Sequence, residues 1–283
     1  TADNSTVRGL VINRFNQHGI FLSAGAGGNI IAGNYIGTDV LGAADLGNLG
    51  MGIELNGAGS NNTIGGTAAA DRNVISGNDW NGVSLIDGSD GNSVQGNYIG
   101  LNAAGTAAIA NTMSGVGINN ADSITIGGAA AGAGNVIAGN TQQGIWMDNT
   151  SGTAVQGNRI GTNAGGNSAV GNGVAGIVLD TGATGVQIGG ASAGAGNLVS
   201  GNAQAGILLN GADGNTIQGN RVGTDAAGTA AVANGTAGIS LAAGSSGNII
   251  GGTGGGEANT IAFNGSDGIV LTDAASLGNR ISG

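Results

Sequence analysis

A hexapeptide beginning with asparagine recurs along this chain at one fixed interval, and that interval restricts the fold more than any other feature. NVISGN opens at Asn73, NVIAGN at Asn135, NLVSGN at Asn197 and NTIAFN at Asn259, 62 residues apart each time. Ile64-Gly65-Gly66, Ile126-Gly127-Gly128, Ile188-Gly189-Gly190 and Ile250-Gly251-Gly252 keep the same step. A short apolar segment after glycine appears twice per repeat, nine times in all, from GIFL at 19–22 through GIWM at 144–147 to GIVL at 268–271. Repetition on this scale marks a solenoid, in which each unit buries its apolar face only against its neighbours.

Each half-repeat of roughly 30 residues reads as three short strands, a GIxL strand, an NxIxG strand and a third such as that in NVISGN. Apolar residues alternate with small or polar ones, as with Val94 and Ile99 around Gln95 and Asn97, so one face can turn inward. Helices are disfavoured because 64 of the 283 residues are glycine, which costs about 1 kcal/mol per helical position relative to alanine. The expected fold class is all-β: a single right-handed parallel β-helix over residues 1–283, three strands per turn and about nine turns. At about 4.8 Å per rung it makes a rod roughly 40 Å long. The chain starts within NSTVRG and stops within NRISG with no capping helix, so the expectation is uncapped ends and self-association end to end into fibres.

The asparagines are expected to hold the bends. Asn16, Asn78, Asn140, Asn202 and Asn264 share one place in the repeat, and Asn34, Asn97, Asn158 and Asn220 share the related place in the other turn. Asparagine tolerates tight bends, and its amide can bond the same residue type one turn above and below. Two loops interrupt the coil. The longer runs over 37–52, 100–115, 161–176 and 223–238, and the shorter, rich in Gly and Ala, over 65–72, 127–134, 189–196 and 251–258. Because both recur, each should form a stripe along the rod, and the stripes are where a ligand should bind.

Charge excludes several function classes. Sixteen acidic residues against six arginines and no lysine give a net charge of −10, which repels nucleic acid and anionic lipid. No run of about 18 apolar residues predicts membrane insertion, and two Trp, two Tyr and three Phe cannot make the aromatic girdles of an outer-membrane barrel. With no cysteine there is neither disulfide nor thiolate chemistry.

Catalytic candidates are few. A glycosidase needs two carboxylates held close together, and Asp39, Asp45, Asp87, Asp90, Asp148, Asp180, Asp225 and Asp273 are available. Most sit where sibling repeats carry asparagine, which reads as turn chemistry. Proton abstraction beside a carboxylate needs a base and a cation; His18 is the only histidine, and Arg159 and Arg221 occupy the places of Tyr35 and Tyr98. Trp80 and Trp146 could stack on sugar rings, but two tryptophans without counterparts in sibling repeats read first as local packing. Calcium is the most plausible ion, yet Asp39 and Asp225 become Asn102 and Asn163 in sibling loops. No catalytic residue, cofactor or metal ligand is therefore assigned.

TVRGLVINRF at 6–15, NxIxGNxIGTDxxGTAA as at 215–231 and IGGxxxGxGNxISGN as at 188–202 resemble the parallel β-helix repeat proteins of bacterial cell surfaces. That resemblance covers essentially the whole chain and implies an extracellular or cell-surface setting. Motifs of the polysaccharide-acting members, such as pectate lyases, polygalacturonases and alginate epimerases, are not found. Two functions follow: a non-enzymatic structural rod, filament or stalk, or a protein binding or degrading a cell-surface glycan in a groove between the loop stripes.

Overall fold

The computed structural model describes residues 2–283. Its strands are two to four residues long and lie in three sheets, all of them parallel. The first sheet has ten strands, from Thr6–Arg8 through Ala154–Gln156 to Arg280–Ser282; the second has nine, from Val11–Ile12 through Arg159–Ile160 to Thr260–Ile261. The third has nine, from Ile20–Ser23 through Ile145–Asp148 to Ile269–Leu271, and these are the GIxL segments. In every sheet a strand pairs with the equivalent strand one turn on, so the chain winds as a right-handed parallel β-helix of about nine turns. Among the described residues the one helical element is a 3₁₀ turn at Ala69–Asp71.

Register follows from the alternation of side chains. Ile64, Val94, Ile126, Val155 and Ile188 are partners on successive rungs of the first sheet. Ile99, Ile137, Ile160 and Val199 do the same in the second, and Leu85, Ile118, Met147 and Leu179 in the third. All are fully buried and form one continuous core. A slip of one residue would turn every one of these columns outward, which fixes the stacking.

Asparagine is the commonest polar side chain inside the coil, beside buried serines and threonines, and at two corners asparagines form unbroken ladders. Between the first and second sheets, Asn34, Asn73, Asn97, Asn135, Asn158, Asn197, Asn220 and Asn259 each donate from Nδ2 to Oδ1 of the next, at 2.9–3.1 Å. Between the second and third, Asn48, Asn78, Asn111, Asn140, Asn172, Asn202, Asn234 and Asn264 do likewise at 2.9 Å. The two sets read from sequence therefore stand at different corners. Asn97 precedes its second-sheet strand whereas Asn78 follows its own, although both come after glycine.

Asn16 stands apart from either ladder. The strand Val11–Ile12 places Phe15 in the ladder position, where its N–H donates to Asn48 Oδ1 at 3.1 Å, and leaves Asn16 exposed. The first turn is one residue out of step with its sequence-aligned copies.

Both loop sets build continuous ridges. In the longer one, the N–H groups of Ala103, Ala164 and Ala226 donate to the carbonyls of Gly42, Gly105 and Gly166 in the preceding copy, all at 2.8 Å. In the shorter one, a Cβ on Gly132, Gly194 or Gly256 would collide with the carbonyl of Thr67, Ala129 or Ala191, and each of these glycines has a φ of +82° or +83°. Close approach and left-handed backbone together require glycine there. The ridges border the second sheet on both sides, while the third sheet has the longer ridge along one edge only.

Candidate functional site

The third sheet carries the chemically varied face of the rod. Residues two places into its strands point outward and stack as Phe21, Glu54, Ser84, Gly117, Trp146, Val178, Leu208, Ser240 and Val270. Two places further on, Asn119 pairs in register with Asp148, and Asp180 and Asn210 continue that column over the next turns.

At the middle turns this column carries two hydrogen-bonded groups on adjacent pairs of rungs. Asn119 Nδ2 donates to Asp148 Oδ2 at 2.7 Å, and Asn210 Nδ2 to Asp180 Oδ1 at 2.7 Å. Trp146 Nε1 donates to Asp180 Oδ2 at 2.6 Å, which fixes the indole against the neighbouring rung. Two carboxylates thus stand on adjacent rungs, about 4.8 Å apart along the axis, flanked by two amides and an indole. All five side chains are partly exposed. Trp146 also walls a hollow of about 200 Å³ with Asn81, Met113, Ser114, Gln142 and Gln143. Another of about 250 Å³ lies further along the same face, against Leu208, Ser240 and Val270.

The same turns break the repeat at the corner between the third and first sheets. Asn29, Asn62 and Asn92 begin an asparagine ladder there, and Asn215, Asn248 and Asn279 resume it. Between them the position is held by Ile124, Thr153 and Val186, all fully buried. Outside the gap, Asn120, Asp122, Asn149, Thr150, Ser151 and Thr184 line an open hollow of about 300 Å³. This third ladder was not anticipated, although asparagine directly before the first-sheet strand, as in NTIGG and NSVQG, is its signal in the sequence.

His18 lies at the start of the same face. Its Nδ1 accepts the N–H of Met51 at 3.2 Å, and its Nε2 is 3.1 Å from Oε2 of Glu54, which is 5% exposed. Asn56 Nδ2 donates to Glu54 Oε1 at 3.1 Å, and the imidazole stacks on Phe21 with centroids 5.5 Å apart. Accepting at Nδ1 leaves the proton on Nε2, pointing at the carboxylate. Sequence reasoning missed Glu54 because it stands at the variable position of a GIxL strand, which no spacing marks. Trp80, half exposed, precedes the strand Val83–Ile86. His18, Trp80 and Trp146 therefore share a face, though not a turn.

The remaining carboxylates act mostly in turns. Asp39 Oδ1 accepts the N–H groups of Ala43 and Ala44, and Asp225 Oδ1 those of Thr229 and Ala230. These bonds, to Ala43 first for Asp39 and Ala230 first for Asp225, hold both carboxyls below the ordinary value. Asn102 Oδ1 takes the same role, accepting from Thr106 and Ala107, which explains the Asp–Asn exchange among sibling loops. Asp273 is lowered chiefly by the N–H of Gly244, then that of Ala275. Asp90 accepts the N–H of Asp122 at 2.7 Å, Asp45 that of Gly47 at 3.0 Å, and Asp87 the Nδ2 of Asn120 at 3.4 Å. Among the described residues no three His, Asp or Glu side chains gather as a metal-ligand set.

No protein-family model matches the sequence, and a search of curated proteins gave no match. Among solved structures the chain is similar to the periplasmic alginate epimerase AlgG, with 16% identity, 97% of this chain and 50% of that one covered, and a TM-score of 0.51. It is also similar to the Dettilon tailspike protein gp208, with 18% identity, 96% and 54% covered, and a TM-score of 0.51. The chain spans about half the length of each. At these identities the likeness is one of fold.

Proposed function

We propose that this protein is a rigid extracellular β-helical rod whose third-sheet face binds a neutral glycan lying along the rod axis, and that binding rather than cleavage is its activity. One observation carries the reading: the Trp146 indole, fixed by Asp180, beside a column of amides and carboxylates on an exposed face. An aromatic ring covers the apolar face of a sugar, and planar amide and carboxylate groups accept and donate to its hydroxyls. A ligand extended along a solenoid meets residues from many turns. The spread of Phe21, Trp80 and Trp146 over every second turn then becomes a set of platforms on one track. No arginine belongs to this set, whereas Asp148 and Asp180 do, so a neutral chain suits it better than a uronate.

Adjacent Asp148 and Asp180 also raise hydrolysis, since paired carboxylates about 5 Å apart serve retaining glycosidases. Each, however, already accepts an amide from a flanking asparagine, and Asp180 the Trp146 indole as well, so both are engaged in holding the face, and hydrolysis is one outcome of the test below. The extracellular placement is supported by the resemblance to cell-surface repeat proteins, and one of the two similar structures is named as periplasmic.

Neutral oligosaccharides on an array, with affinities by calorimetry, test this. Trp146→Ala should weaken binding roughly tenfold, and Asp148→Asn less. An array on which no neutral glycan is retained, or on which the Trp146 variant binds as the parent does, refutes the reading. Release of reducing ends by the parent and not by Asp148→Asn would replace binding with hydrolysis.

A further inference from the structure

The groove between the two loop ridges has the opposite chemistry, and it stands independently of the third-sheet face. Its floor is the second sheet, whose outward column runs Tyr98, Val136, Arg159, Leu198 and Arg221 on successive rungs. At its centre is a hollow of about 380 Å³ lined by Arg72, Tyr98, Val136, Arg159 and the Gly128–Gly134 ridge, with no carboxylate among its residues. Arg72 lies with Cζ 4.1 Å from the Tyr98 ring centroid and donates from Nε to the Gly96 carbonyl at 3.3 Å. The loop glycines settle over the other two: a Cβ on Gly166 would lie 3.2 Å from Arg159 Nε, and one on Gly228 3.3 Å from Arg221 Nε.

Three of the six cations of a chain with net charge −10 thus line up in one trough. Among the described residues the arginine–carboxylate ion pair is Arg8–Asp71, and Glu54 is in contact with His18, so Arg72, Arg159 and Arg221 are in no ion pair. Arg72, over the Tyr98 rung, is two rungs from Arg159, and Arg159 is two rungs from Arg221. The spacing is about 10 Å per step. Charges walled by low-dielectric ridges focus the field on an anion entering the groove, and guanidinium groups pair with carboxylate and sulfate in bidentate fashion.

We infer that this groove is a binding site for a linear anionic polysaccharide whose carboxylate or sulfate groups are widely spaced along the chain. Nucleic acid fits poorly. Its charges recur at about 3.4 Å per strand, and the net charge of the protein opposes so dense a polyanion.

Affinity electrophoresis of the full chain through gels containing heparin, polygalacturonate or neutral dextran, with single-stranded DNA as competitor, tests the site. Retardation by one of the anionic polymers is expected, and Arg159→Gln and Arg221→Gln should each weaken it about tenfold at low salt. The log–log salt slope should be about −2 and fall by roughly 0.7 per arginine removed. Ala131→Asp, which places a carboxylate in the exposed wall of the groove without deleting a packed side chain, should abolish retardation and leave neutral-glycan binding unchanged. The inference is overturned if neither anionic polymer retards the protein, if these variants are retarded like the parent, or if DNA competes as effectively as the anionic glycans.

Discussion

Each ladder asparagine answers a local problem. A bend between two-residue strands leaves carbonyls pointing inward, and one Nδ2 reaches both such a carbonyl and the next amide: Asn140 donates to Asn172 Oδ1 at 2.9 Å while its own Oδ1 accepts from Asn111 at 2.9 Å. Asn140→Leu would take one acceptor from Asn111 Nδ2, which keeps the Ile75 carbonyl, and one donor from Asn172 Oδ1, which keeps the backbone N–H at 140, at a cost of about 2–4 kcal/mol by chemical denaturation. Asn16→Ala, outside the ladder, should change stability by less than about 0.5 kcal/mol. The sequence made these residues legible as scaffold, but it did not separate the two corners. A glycine precedes Asn78 and Asn97 alike, and only the side of the strand on which each falls tells them apart.

Acid behaviour belongs to the same scale. The folded carboxyls of Asp39, Asp225 and Asp273 lie below their ordinary value of 3.8, so the stability they contribute is present above that value and disappears as pH falls through the lower folded one. Denaturant midpoints measured from pH 5 to pH 2 should drop, mostly below about pH 4. Asp225→Asn should flatten part of that drop, because Asn102 shows that the amide keeps the turn.

At the scale of the element, the strands contribute burial in register and the loops contribute contact. Ile145 is completely buried between Val116 and Ile177, and Ile145→Ala should cost roughly 2–5 kcal/mol. Because a solenoid couples mainly to nearest neighbours, protection from hydrogen exchange should fall first in the rungs beside the cavity. The strands were readable because their apolar period is strict and their glycines punctuate it. The candidate site was only partly readable: Trp146 and Asp180 stand out as residues, but the hydrogen bond joining them spans 34 positions, and no local pattern encodes it. The interruption at Ile124, Thr153 and Val186 was hidden for a related reason. It is a loss of asparagine, and a search for repeats registers what recurs.

Over the whole molecule, a coil of parallel rungs presents three long faces, and their chemistry differs. One face is a polar and aromatic track with Asp148 and Asp180, and another is a trough with arginines between two ridges. Rigid stacking keeps ligand-contacting groups at multiples of the rung spacing, which suits polymers better than small molecules. The most direct measurement of the main claim is the ¹⁵N indole spectrum, which has two signals, assigned by replacing Trp80 with Phe. Titration with a neutral oligosaccharide should move the Trp146 indole resonance, whose proton lies on Asp180, and Asp180→Asn should alter the response. If that resonance stays fixed for every neutral glycan tested, the third-sheet face is not the binding surface.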